Sequence, residues 1–505
     1  MMNKPLINRF FYPIIFAIAS VVFVLTAYNS HGYYYADEHY QIIEFANAKL
    51  GVQDTATLAW EYAARIRPTI QPTICYVVFK GLMALGITNP YTMAFCLRLL
   101  TAILALTAIH LFVQSTKNQF NSESVQNGYA ALSYFLWFIP YLSVRFSSET
   151  WSGLLLLLAL AVILKNPVKK STFFTIGILL GTGFLLRFQI AFAIAGLLLW
   201  MFFINKTKIF PLIIVAISFL LMVVLGICID SWFYGEFVFT PWNYFYTTII
   251  DNSSPTFGAS PWYFYVINML SFPSYFVGIP LVIAIIALII CRTKNIVLWC
   301  FIPFILVHSL IPHKEVRFLF SIAYFAPILL SMAYNLLYEF LQKRTITKAI
   351  NYLLLFLFVV VNIIGLAVMS FAGTGKGRLA LTKYIYDNYK NRPVNIIHLS
   401  WANPYSPSHY TPIRFYYPAN IKNSIHIKNL EELNDSLLIS GYDNLLFVRK
   451  CDFEQHGATT LIEEQGFVFE KQSVSEWVES IHSIHDNYPR SFIYVLYKHS
   501  EISEK

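Results

Sequence analysis

The sequence predicts a mainly helical, polytopic membrane protein with a small extramembrane α/β domain at its C-terminal end. Three observations carry this. The 505-residue chain is 57% hydrophobic and only 12% charged, against roughly 25% charged residues in soluble domains. Its apolar residues are gathered into long runs close to the roughly 17–25 residues that cross a bilayer. After about residue 372 the pattern changes to short alternating stretches separated by polar turns.

Twelve apolar stretches are candidates for spans: near 11–28, 72–87, 93–113, 129–146, 149–164, 172–186, 188–204, 209–229, 263–290, 296–312, 318–337 and 349–371. The first follows basic residues and shows no small-residue cleavage site, so it reads as a retained span that starts in the cytoplasm. The net charge of +9 sits mostly in short loops between spans, as the positive-inside rule requires, and does not signal nucleic acid. Lys165, Lys169 and Lys170 mark one cytoplasmic loop. Lys206 with Lys208, Arg292 with Lys294, and Lys343, Arg344 and Lys348 mark three more. The loops 29–71 and 230–262, the turn "HKEVR" and everything after 372 then lie on the opposite face. That arrangement needs an odd number of crossings, about 11 or 12 helices, so one stretch between 72 and 164 is re-entrant, interfacial or merged with a neighbour. Residues 1–371 form the membrane module and 372–505 the second domain. There, "NYKNRPVNIIHLSWANPYSPSHYTPIRFYYP" and "GYDNLLFVRKC" alternate like short strands, and "LEELNDSLLIS" and "SVSEWVESIHSIH" read as short helices. The six cysteines form neither a pairing framework nor a metal-binding spacing.

Four stretches could carry chemistry. In "YYYADEHYQIIEFANAKLG", Asp37 and Glu38 are adjacent carboxylates just past the first span, ahead of a short surface helix. A partly desolvated carboxylate there suits a general base; the plain alternative is that Asp37 caps that helix. In "TLAWEYAARIRPTIQP", Trp60, Glu61, Arg65 and Arg67 precede the second span. Arginines on the outer face suit an anionic ligand; alternatively Glu61 and Arg65, four apart, pair along one helix face. In "HKEVRFLF", His313, Lys314 and Arg317 cluster at a span's outer lip, with Glu315 placed to orient one of them. Such donors suit a phosphate at headgroup level, or simply close a span by snorkelling. Last, Asp230 ends a span before an aromatic loop containing Tyr234 and Trp262, suited to sugar or lipid stacking or to anchoring in headgroups. "RFSSE" and "LLRFQ" bury Arg145 and Arg187 among apolar residues, so each needs a carboxylate or backbone partner, or a cavity. No P-loop, HExxH, Gly-x-Ser-x-Gly or DxD motif is present.

These pieces, in this order, resemble glycosyltransferase family 22, the mannosyltransferases of the glycosylphosphatidylinositol-anchor and N-glycan pathways, with the anchor-pathway third-mannose branch nearest. "HKEVRF", 313–318, resembles the family's His-Lys-Glu-x-Arg-Phe block. "ADEHYQ" resembles its His-Pro-Asp-Glu-x-x-Gln block, with Tyr35 and Ala36 in place of His-Pro and with Asp37, Glu38 and Gln41 matching. "AWEYAARIRPTIQP", "DSWFYG", "SPWYFY" and "NPYSPSHYTPIRF" resemble further family segments, and the likeness spans about 30–420.

The resemblance implies a GT-C fold of around a dozen helices. It also implies inverting transfer of mannose, or a related hexose, from a polyprenyl-phosphate sugar to a lipid-linked or glycan acceptor, without metal or other cofactor. In that reading Asp37 is the base and Glu38 its understudy. His313, Lys314 and Arg317, aided by Arg65 and Arg67, hold the donor phosphate. Gln41, Trp60, Glu61, Asp230, Tyr234 and Trp262 line the substrate. The Ile-, Lys- and Asn-rich composition favours a bacterial inner membrane with a periplasmic site, the endoplasmic reticulum lumen being the eukaryotic counterpart. A transporter of lipid-linked sugars is the alternative from another class; it calls for polar groups along the midplane.

Overall fold

A computed structural model describes residues 6–165, 169–251, 258–341, 345–371, 374, 378–400, 402–406, 413–454, 458–482 and 493–500. Lys343 and Arg344, and residues 407–412 of the stretch "NPYSPSHYTPIRF", lie outside them. The chain divides into two compact units. One comprises Met1–Ala27, Ala64–Ile74 and Leu97–Ser370; the other comprises Tyr28–Ala63, Cys75–Cys96 and Phe371–Lys505.

The first unit is a bundle of apolar helices. Across the described residues of the whole chain, five helices are long and apolar enough to cross a membrane: Phe10–Asn29, Pro90–Gln119, Ile209–Tyr234, Val316–Tyr338 and Thr345–Phe371. Tyr275–Cys291 and Ile296–Leu310 make a further candidate, bent by 115° at the break between them. Ile70–Ala84, Ser148–Ile163, Lys170–Leu186 and Phe188–Ile204 are shorter apolar helices. At about 1.5 Å per residue such helices fall short of a roughly 30 Å hydrocarbon core unless flanking segments help. The protein is a multi-pass membrane protein, with apolar helices matching most of the expected stretches.

Two expected stretches are not continuous helices. The run 129–146 breaks after the helix Glu123–Phe135, where Leu136 turns extended (φ −60°, ψ 122°), and resumes as the short helix Phe138–Leu142. The run 263–290 breaks between Phe264–Ser271 and Tyr275–Cys291. Pro273 has no amide to continue the first helix, and Ser274 sits at φ +70°. A break among apolar helices frees backbone groups that need partners. The Asn362 amide supplies them: it accepts from Trp137 N at 2.8 Å and donates to Phe135 O at 2.7 Å. The Trp137 indole then donates to Pro273 O at 3.0 Å, so one break is stitched to the other.

Elsewhere small residues set the helix spacing. A Cβ on Gly177 would lie 1.8 Å from Ser218 Oγ, and one on Gly181 would lie 2.7 Å from Met222 Cβ. The helices Lys170–Leu186 and Ile209–Tyr234 therefore touch nearly backbone to backbone, a small-xxx-small contact.

The second unit contains a five-stranded sheet of β1 (Val394–Leu399), β2 (Ile421–Ile427), β3 (Asp443–Arg449), β4 (Phe467–Gln472) and β5 (Tyr494–His499), in the order β2-β1-β3-β5-β4. β2, β1 and β3 are parallel; β5 runs antiparallel to β3 and to β4. Alternate residues feed two cores. Ile396, Leu445, Phe447 and Leu496 pack with Leu381 and Ile385 of the helix Arg378–Asn388. Ile397, Leu446, Val448 and Val495 pack with Ile462 of the helix Ala458–Glu464. A central strand covered on both faces reads as a continuous apolar run, as "LLFV" (445–448) does. "LEELNDSLLIS" forms two 3₁₀ turns, Leu430–Glu432 and Asp435–Leu437, rather than a helix.

Residues 36–49 do not form a surface helix. They run as Ala36–Glu38, a π-turn His39–Ile43 and Glu44–Lys49, buried on nearly every side from Glu38 to Ala48. The sequence division at 371/372 leaves 29–71 with the membrane helices, whereas the structure groups 28–63 with the sheet domain. The reason is a polar knot. The Glu44 carboxylate meets His39 Nε2 at 2.7 Å and accepts the amides of Arg414 and Phe415 at 2.9 and 3.1 Å. The His39 ring lies between Tyr33 and Tyr416, with centroids 5.3 and 5.5 Å away.

Two outcomes follow from these braces. Asn362→Leu strips partners from Trp137 N and Phe135 O and should lower stability by about 1–3 kcal/mol per orphaned group, read as a fall in melting temperature of detergent-solubilised protein. Glu44→Ala should speed hydrogen exchange at the Arg414 and Phe415 amides while leaving the β3 amides protected; unchanged exchange at 414 and 415 would refute the brace.

Candidate functional site

The "HKEVR" turn follows the helix Ile296–Leu310. Ile311 is extended (ψ 131°), as is Glu315 (φ −133°), and a 3₁₀ turn begins at Val316. Lys314 and Arg317, three apart, would share a face only in a helix, and here they do not. Lys314 turns inward and is 7% exposed. Its ammonium donates to Ser260 O at 2.8 Å and Ile311 O at 2.6 Å, while Ser260 N donates to Pro312 O at 2.9 Å. Burial lowers the Lys314 pKa below the usual lysine value, and the carbonyls compensate by solvating the charge. Lys314 thus ties the end of the aromatic loop to the turn while adding a positive charge beneath it. Glu315 bridges two of the expected donors: one oxygen meets His313 Nε2 at 3.0 Å and the other accepts from Arg317 Nε.

The structure adds two residues to this cluster. Arg187 closes the helix Lys170–Leu186, and Glu149 lies in the first turn of Ser148–Ile163, which Ser147 caps through Thr150 N. Arg187 Nη1 is 3.1 Å from Glu149 Oε1, and Arg317 Nη1 is 3.9 Å from the same oxygen. Glu149, Arg187 and Arg317 are 4%, 7% and 8% exposed. Both guanidinium groups also lie against the Phe318 ring, 4.9 and 5.6 Å from its centroid. Close packing makes this possible. A Cβ on Gly153 would come within 2.4 Å of Ser321 O, and Ser321 Oγ donates to Glu149 O at 3.2 Å. The signal in the sequence was the burial of Arg187 and Glu149 in apolar stretches; their pairing, across 38 positions, was not legible.

A second polar cluster in the same unit is a brace. Both oxygens of Asp230 are engaged: one accepts from Thr69 N at 2.7 Å and Thr69 Oγ1 at 2.6 Å, the other from Thr240 Oγ1. The Tyr234 hydroxyl donates to Arg67 O at 2.8 Å. Arg65 adopts φ +50°, its carbonyl accepts from Asn243 Nδ2 at 3.2 Å, and its guanidinium pairs with Glu236. Asp230 and Tyr234, expected at a substrate wall, thus fasten 65–69 to the end of the helix Ile209–Tyr234. The helix Trp60–Ala63 ends before Arg65, so Glu61 and Arg65 have no common helical face. Trp262 is 69% exposed beside Tyr263.

In the second unit, Tyr35 rather than Asp37 is the N-terminal cap of Ala36–Glu38, which removes the capping reading of Asp37. Asp37 is half-buried, and Glu38, buried beside it, accepts from Tyr34 N at 3.2 Å. Gln41 donates to buried Glu61 at 2.8 Å. Trp60, next to Glu61, is 47% exposed. Asp37, Glu38, Gln41, Trp60 and Glu61 therefore belong to one unit, and His313, Lys314 and Arg317 to the other.

Comparisons with known proteins place this arrangement in a family. Residues 13–418 match the profile of the Alg9-like mannosyltransferase family. The chain is 24% identical to GPI alpha-1,2-mannosyltransferase 3 of Bos taurus over 59% of its own length and 54% of that protein's. It is 26% identical to GPI mannosyltransferase 3 of Candida albicans over 62% of each. The chain thus aligns with a little over half of the length of these relatives. Among solved structures, ArnT from Cupriavidus metallidurans bound to undecaprenyl phosphate superposes with a TM-score of 0.53 at 10% identity, covering 97% of this chain and 98% of ArnT. That likeness concerns the fold, which is of the GT-C type. With the family profile covering most of its length, the chain belongs to the Alg9-like mannosyltransferase family.

Proposed function

We propose that the protein is a membrane-embedded glycosyltransferase that moves mannose, or a related hexose, from a polyprenyl-phosphate sugar to a glycolipid or glycan acceptor, with inversion. The observation that carries this reading is the buried cation cluster of Arg317, Lys314 and Arg187 in a chain of a mannosyltransferase family. A cluster of buried guanidinium groups recognises phosphate. The relatives are named for transfer of mannose, and ArnT was solved with a polyprenyl phosphate. Both names support a lipid-phosphate donor here.

In this reading Asp37 takes the acceptor's hydroxyl proton, with Glu38 as the second candidate, and His313, Lys314 and Arg317 stabilise the phosphate as it leaves. Lys314 acts mainly through its charge, because carbonyls already hold its ammonium. Arg65 and Arg67 assist in holding the donor phosphate. Gln41, Trp60, Glu61 and Trp262 contact substrate, while Asp230 and Tyr234 act from behind as braces. The reaction proceeds without a metal or other cofactor, on the periplasmic face of a bacterial inner membrane.

The test is transfer of radiolabelled mannose from polyprenyl-phosphate mannose to membrane lipids. Asp37→Asn should reduce transfer at least about 100-fold in protein that still folds, and Lys314→Ala should raise the donor KM. Chelator should leave the rate unchanged. Absence of transfer with any polyprenyl-phosphate sugar, or unaltered rates in both variants, would sink this assignment.

A further inference from the structure

We propose that Glu149 sets the charge of the donor-phosphate site: it aligns Arg187 with Arg317 and cancels one of their charges, so that the site fits a phosphodiester monoanion and releases a phosphomonoester dianion. This rests on the donor-phosphate reading above and goes beyond it by assigning Arg187 and Glu149, which lie outside the "HKEVR" block.

Three features carry the inference. First, Arg187 and Arg317 arrive from different segments yet face one oxygen, Glu149 Oε1, at 3.1 and 3.9 Å. Two buried like charges at this spacing repel, and a shared carboxylate is what lets both stay ionised out of water. Second, Glu149 is fixed independently of the arginines. Its carbonyl accepts from Ser152 Oγ at 3.0 Å and from Ser321 Oγ at 3.2 Å, and Ser148 Oγ donates to its Oε2 at 3.2 Å. It is therefore a scaffold, while Glu315, on the more open side of the turn, bridges Arg317 to His313. Third, the charges of these five side chains add up: Arg187, Arg317 and Lys314 against Glu149 and Glu315 leave one positive charge over, which a phosphodiester matches, while Arg65 is paired with a carboxylate of its own, Glu236.

Transfer changes the ligand's charge. The acceptor oxygen forms a bond to the sugar's anomeric carbon as that carbon's bond to the phosphate oxygen breaks. The electron pair leaves on that oxygen, and the acceptor's proton passes to the carboxylate base. The polyprenyl phosphate left behind carries one more negative charge than the donor, one more than the cluster balances. Glu149 thereby favours release of product. Arg187 is a binding residue and Glu149 a positioning residue that also tunes charge.

The experiment uses the full chain in nanodiscs and two probes, farnesyl phosphate and its O-methyl ester, at pH 8, where the monoester is a dianion. Dissociation constants are measured calorimetrically. Glu149→Gln should tighten the monoester relative to the diester by about tenfold, the effect of one full charge across a largely dehydrated site. Arg187→Gln should shift the ratio the other way. Glu149→Asp keeps the charge and withdraws the carboxylate, so it should weaken both probes alike and leave the ratio unchanged. A ratio that does not move in Glu149→Gln, with the protein's melting temperature retained, overturns the proposal and leaves Glu149 a packing residue. Failure of the wild-type chain to bind either probe instead overturns the donor-phosphate reading on which the proposal stands.

Discussion

The polar chemistry of the membrane unit depends on one constraint: two buried arginines need a buried carboxylate between them. Arg187 and Arg317 would each carry a large desolvation cost alone. Glu149 offsets it for both, and Phe318 covers their faces. Everything nearby serves that contact. Gly153 has no side chain because the 3₁₀ turn Val316–Phe325 lies against its helix. Ser321 and Ser152 hold the Glu149 carbonyl. A Lys in place of either arginine would keep the charge but lose the planar fork that shares an oxygen and stacks on a ring.

The same accounting explains the interrupted helices. In an apolar bundle a broken helix is tolerated only where its freed amides and carbonyls meet new partners. Asn362 does this for the Leu136 break, and Trp137 ties that break to the one at Pro273. Asp230 does it for residue 69, where the chain re-enters helix after the left-handed turn at Arg65. These braces use polar side chains that resemble site residues when read one at a time.

In the second unit, burial of His39 and Glu44 serves cohesion. One oxygen of Glu44, Oε1, meets one imidazole and two backbone amides, and the stacked rings of Tyr33, His39 and Tyr416 close the knot. Asp37 and Glu38 stand one turn before it, on a segment immobilised by that packing. Such rigidity suits the base role proposed for Asp37, since a general base works only when its geometry is held.

By itself the sequence determined the class of protein, the position of most apolar helices, the strand at 443–449, the start of the sheet near 394 though not its end, and the block at 313–318. Each of these is local: hydropathy runs, alternation and short motifs depend on neighbours within a turn or a strand. Tertiary structure decided the rest. It decided that Glu149 meets Arg187, that Asp230 reaches Thr69, that Asn362 mends the break at Leu136, and that residues 36–49 are buried with the sheet domain. A charged or polar side chain in an apolar run announces that it needs a partner. Which partner it finds depends on helix packing across tens or hundreds of residues, and that choice is not written in any one stretch of the chain.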